Sequence, residues 1–122
     1  MSRRTHPSKG AVSIINLTPH PVTILDEDGA VVAEFSSQGI ARALQVHREQ
    51  EPVAGIATTR VVVTRTEGLP APVRGVLLIV SLITATSAKS LGRQCRDLLI
   101  PGPGVRNDAG AVTGCRELVW FE

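Results

Sequence analysis

The apolar residues of this chain come in short runs, most of them closed within a few positions by glycine, proline or aspartate. The longest, Val76 to Ile83, is interrupted by Ser81. Runs of that length suit strands, and they fall far short of the roughly 20 apolar residues a membrane-spanning helix needs. A chain patterned in this way is confined to short strands joined by tight connections. At 122 residues it has the length of one domain.

Val12–Leu17 is β-branched and reads as the first strand, with Pro21–Leu25 as the next. Asp28-Gly29 then separates Pro21–Leu25 from Ala30–Phe35, a strong hairpin signal. Ile40–Val46 continues in strand alternation, and Glu49-Gln50-Glu51-Pro52 reads as a polar connection to a half-buried antiparallel strand, Ile56–Thr66. Val76–Val80 carries no polar residue and is expected to be the central strand, buried on both faces. Ser81 is a fair N-cap for a helix that places Leu82, Ile83, Ala85, Ala88 and Leu91 on one side and stops at Gly92. Asp97–Ile100 is a short strand, and Val105-Arg106, the turn Asn107–Gly110 and Ala111–Leu118 form a last hairpin. The expected fold is α+β, a mostly antiparallel sheet with one α-helix after the central strand. The pattern leaves open whether the sheet partly closes into a barrel. Residues 1–10 carry no hydrophobic period and read as a flexible leader to a single domain over 11–122.

Several function classes find little support. Only Phe35, Trp120 and Phe121 are aromatic, so the core must be aliphatic and base-stacking platforms are scarce. The net charge is +2, with Arg3, Arg4 and Lys9 contributing, so there is no strong nucleic-acid signal. Cys95 and Cys115 stand alone with no secretion signal ahead of them, which points to a cytoplasmic protein with reduced thiols packed as small hydrophobes. The three histidines and two cysteines show no metal-ligand spacing, and no cofactor or nucleophile motif occurs. Pro101-Gly102-Pro103-Gly104 lacks the backbone N–H groups a phosphate-cradling loop donates.

Two polar clusters stand out. In Asn16-Leu17-Thr18-Pro19-His20-Pro21, prolines on both sides hold His20 on a stiff loop at a strand end. Such pre-positioning suits binding or proton transfer. Equally, Asn16 and Thr18 suit hydrogen bonds to loop backbone. Arg93, Arg96 and Asp97 follow the helix, where they either brace its end or form an anion pocket that Arg106 could join.

Ile15-Asn16-Leu17-Thr18-Pro19-His20, Leu69-Pro70, Ile79-Val80-Ser81, Arg96-Asp97-Leu98-Leu99 with Pro101-Gly102, and Val105-Arg106-Asn107-Asp108 with Gly114-Cys115 form an ordered series. This series resembles a group of small actinobacterial and tailed-phage proteins that open on Asn-Leu-Thr-Pro-His. The resemblance covers roughly residues 12 to 118, and Arg93-Gln94-Cys95 departs from it as a local extension. It brings no activity and no catalytic residue, and it implies a phage- or prophage-related accessory protein.

The leading expectation is therefore a non-enzymatic protein binding a small anionic, nucleotide-like ligand or a host protein, at a site combining Asn16, Thr18 and His20 with Arg93, Arg96, Asp97 and Arg106. That composite requires His20 and Arg96 to share a face. A structural module forming homo-oligomers through β edges is the alternative, and a small hydrolase using His20 as base is the second.

Overall fold

A computed structural model describes residues 11–122, so the leader expected over residues 1–10 lies outside the described residues. The chain forms ten strands and one helix in the order β1 (Ser13–Asn16), β2 (Val22–Leu25), β3 (Val31–Phe35), β4 (Arg42–Val53), β5 (Ile56–Glu67), β6 (Val76–Ile79), α1 (Leu82–Ser90), β7 (Leu98–Pro101), β8 (Gly104–Arg106), β9 (Val112–Cys115) and β10 (Leu118–Trp120). They build a sheet β1-β6-β7-β10, a second sheet β3-β2-β9-β8, and a separate two-stranded ribbon β4-β5. Over the described residues the fold is thus mainly β with a single helix, and neither four-stranded sheet closes into a barrel.

The first sheet is the middle layer. Leu78, Val80 and Leu98 face one way, toward Ala85 of α1, while Ile79 and Leu99 face the other, toward Val22 and Cys115 of the second sheet. Burial on both faces is why Val76–Val80 contains no polar residue. Ile79, Val80 and Leu98 are completely shielded from solvent.

The strand pairing departs from the antiparallel expectation at this core. β1 pairs with β6 and β6 with β7, both parallel, while antiparallel pairs are confined to the hairpins and to β7-β10. The cause is connectivity: a helix between two neighbouring strands of one sheet returns the chain to its starting edge, so β6-α1-β7 must be a parallel crossover. The last expected strand, Ala111–Leu118, is instead two strands in different sheets, β9 and β10, with Arg116-Glu117 at the corner between them.

Helix α1 begins and ends as its sequence indicates. The Ser81 hydroxyl accepts from the Thr84 N–H at 3.2 Å. At the other end Gly92, at φ +90°, donates to the Lys89 carbonyl, and the Arg93 N–H donates to that of Ala88. This is the Schellman arrangement that a left-handed glycine permits. Its buried face is only partly the one expected, since Ala85 and Ala88 are inside as expected but the larger apolar residues are not. Leu82, Ile83 and Leu91 are exposed, and Thr84, Ala85, Ser87 and Ala88 are buried. Small side chains let the helix lie close on the sheet, and the Thr84 hydroxyl donates to the Ala41 carbonyl at 3.3 Å to complete the seat.

The ribbon is the other departure. The segment read as a polar connection, Glu49–Pro52, lies inside β4, which runs on to Val53. Ala54 and Gly55 make the turn at φ +50° and +79°, the pair of positive angles that matches a two-residue hairpin to strand twist. With twelve residues in each strand, the ribbon extends about 40 Å at ordinary strand rise. Polar residues persist along it because β4 is solvent-exposed from Gln45 to Val53, so no buried face imposes an apolar alternation.

Candidate functional site

The Asn-Leu-Thr-Pro-His segment leaves the first sheet at β1 and enters the second at β2. Asn16, the last residue of β1, is fully buried. Its amide donates to the carbonyls of His20 at 2.8 Å and Phe35 at 2.9 Å. Its Oδ1 accepts from the Thr18 N–H at 2.9 Å and from the Thr18 hydroxyl at 2.7 Å. Both donors and both lone pairs of the carboxamide are used. Ser37 adds a hydrogen bond from its hydroxyl to the Thr18 carbonyl at 2.7 Å. Asn16 and Thr18 are thus consumed in joining β1, the loop into β2, and β3, which is the backbone-bonding role rather than a ligand-facing one.

His20 is exposed and lines a crevice of about 290 Å³ with Thr18, Thr23, Ser81 and Cys115. This crevice lies where β1, β6 and β7 end, the position at which parallel sheets commonly hold ligands. Its lining is mainly apolar. The Ser81 hydroxyl is committed to Thr84 as the helix cap, accepting from the backbone and donating to the side-chain oxygen at 2.9 Å. Among the described residues no carboxylate hydrogen-bonds to the His20 ring.

The arginine cluster lies at the other end of the same sheet. α1 runs about 13 Å away from the crevice before the chain turns back into β7. There Arg93 grips Asp97 with both forks, Nη1 to Oδ1 at 2.9 Å and Nη2 to Oδ2 at 3.0 Å. It also donates to the carbonyls of Gln94 at 2.7 Å and Pro70 at 2.6 Å. The Asp97 hydrogen bond raises the Arg93 pKa above its usual value; burial opposes it and the Asp97 charge adds to it. A raised cation pKa stabilises the fold at every pH below the unfolded value, and the contribution is lost only as pH rises through the folded one, in strong alkali. Arg93 and Asp97 therefore form a brace.

Arg96 is different. It is exposed and has no ion-pair partner among the described residues. It lines a cleft of about 540 Å³ with Lys89, Gln94, Trp120, Phe121 and Glu122. Arg106 belongs to neither opening: its guanidinium donates to the Gly110 carbonyl at 2.6 Å and closes the β8-β9 turn.

The composite of Asn16, Thr18 and His20 with Arg93, Arg96, Asp97 and Arg106 is therefore not one site. Its members are divided between a sheet joint with a small crevice, a helix-end brace beside a larger cleft, and a hairpin turn. Sequence reasoning passed over Lys89, Trp120 and Phe121 as site residues. The signal in the sequence is only that the single tryptophan stands beside Phe121 in a chain with three aromatic residues; that Trp120 is 58% exposed is seen in the structure.

Cys95 packs on the α1 side of the first sheet and Cys115 between the sheets, and both are free thiols. Among the described residues no group of three or more His, Cys, Asp or Glu side chains is placed to hold a metal ion. No helix of the described residues is long and apolar enough to cross a membrane. Comparison with protein-family models, with curated proteins and with solved structures finds no match.

Three substitutions separate joint and brace from surface. Asn16→Ala empties a fully buried position, leaves the Thr18 N–H and the Phe35 carbonyl short of a partner, and is expected to cost about 3 kcal/mol of unfolding free energy in urea melts. Arg93→Ala strands the nearly buried Asp97 and is expected to cost about 3 kcal/mol. Arg96→Ala should stay within about 0.5 kcal/mol of the parent.

Proposed function

We propose that the chain is an assembly module that self-associates through the β4-β5 ribbon, joining two copies along the outer edge of β5. The observation that carries this reading is a ribbon of two twelve-residue strands with no third strand beside it among the described residues. Its main packing contact with the rest of the protein is α1. An isolated two-stranded ribbon is at best marginally stable in water, whereas three or more strands with an apolar face hold together. Arg48 stands directly opposite Arg60, and like charges in that position weaken the pair further.

The two edges are unequal. β4 carries Arg48, Glu49, Glu51 and Pro52, the devices that keep an edge from pairing. β5 has none of the acidic or proline residues from Ile56 to Arg65, and seven of those ten positions are β-branched. Val61 is 49% exposed and Ile56 67%. A second copy meets β5 antiparallel about a two-fold axis within Val61–Val63, a register that sets Arg60 and Arg65 against uncharged residues. The product is a continuous four-stranded sheet, β4-β5 with its symmetry mate. This reading takes precedence over an anion site at His20 because the arginines that such a site needs are at the far end of the sheet.

Light scattering on a size-exclusion column tests it. The parent chain is expected to elute as a dimer, and Val61→Lys, which puts a charge on an already exposed position, as a folded monomer with unchanged far-ultraviolet dichroism. A parent chain that stays monomeric as concentration rises would overturn the proposal, as would a Val61→Lys variant that remains dimeric.

A further inference from the structure

From the cleft at the C-terminal end of α1 we infer a binding site for a small molecule that joins a flat aromatic ring to a phosphate, a nucleotide-like anion. The site is independent of the ribbon. It is assembled from three segments: Lys89 in the last turn of α1, the loop Arg93–Arg96, and the chain end Trp120–Glu122. Its volume of about 540 Å³ falls in the range of small-molecule pockets.

Three features select the chemistry. Trp120 offers an indole that the protein core does not use, in a chain with only three aromatic residues. A stacked base on such a face contributes roughly 1–3 kcal/mol. Lys89 and Arg96 supply two positive charges without a carboxylate partner among the described residues. Lys89 Nζ sits 5.9 Å from the centre of the Phe121 ring, which places that charge beside the aromatic wall. An ammonium and a guanidinium together suit a phosphate better than a neutral or cationic group.

The surroundings make the site firm. The bidentate grip of Arg93 on Asp97 and its hydrogen bond to Pro70 hold the loop that carries Arg96. The Schellman turn uses the carbonyls of Ala88 and Lys89, which softens the negative end of the helix dipole where an anion would sit. Glu122 is the one carboxylate side chain lining the cleft. Set against Lys89 and Arg96, it leaves the free side-chain charge of the lining positive and disfavours anions that lack the ring to compensate.

Trp120 is the only tryptophan, so its fluorescence reports on this cleft alone. Titration with a nucleoside monophosphate is expected to quench it saturably, with the nucleoside and inorganic phosphate each binding at least tenfold more weakly. Lys89→Ala and Arg96→Ala, both exposed positions, are expected to weaken the nucleotide about tenfold each, the loss of roughly 1.4 kcal/mol. Absence of saturable quenching up to about 10 mM, weaker than the millimolar affinity worth about 4 kcal/mol, would overturn the inference. Unchanged affinity in the Arg96→Ala variant would do so too, and so would phosphate binding as tightly as the nucleotide.

Discussion

Asn16 is buried where β1 ends, and its carboxamide ties β3 and the loop leading into β2 to that end, across the gap between two sheets. Away from this joint the two sheets meet through side-chain packing of Val22, Ile79, Leu99 and Cys115. Packing of this kind is tolerant of sliding, whereas four hydrogen bonds on one planar amide allow a single geometry. The loop that follows is fixed by the same residue. Thr18 is held from both its N–H and its hydroxyl, Gln38 donates to the Asn16 carbonyl, and Ala41 donates to that of Leu17. Ala41 in turn receives Thr84 and seats the helix. The body of the protein is thus one connected unit from the joint through β6 and α1 to β7.

The ribbon stands outside that unit. Ala41 and the helix anchor its base, but no comparable network reaches the strands beyond Gln45. The unsupported β arm on this body is what the proposed pairing with a second copy would complete. The cleft lies in the body, at the end of the helix braced by Arg93, and so does not depend on what the arm does.

What could be read from the sequence follows from how local each constraint is. The Asp-Gly hairpin, the Ser81 cap, the Gly92 stop and the apolar Val76–Val80 strand are decided by residues within a few positions, and the structure has each of them. The parallel core was implicit in strand-helix-strand order but not in any periodicity. The long ribbon was hidden because alternation marks a strand only when one face is buried, and residues 49–52 have neither face buried. The helix face was legible only for Ala85 and Ala88, because burial there follows side-chain size, with Thr84 and Ser87 inside and Leu82 and Ile83 outside. For the site residues, type was legible and placement was not. Asn16 and Arg93 are polar residues that the fold spends internally, and Arg96 differs from Arg93 only in where the loop points it.

Hydrogen exchange resolved by residue tests the central claim, that the body is self-sufficient and the ribbon is completed by a second copy. The account predicts concentration-independent protection for Leu78, Val80 and Leu98 and for the amides of Thr18 and Ala41 at the joint. For β5 it predicts protection that rises with protein concentration, strongest around Val61–Val63. Fast exchange along β5 at every concentration, beside a protected body, would contradict it.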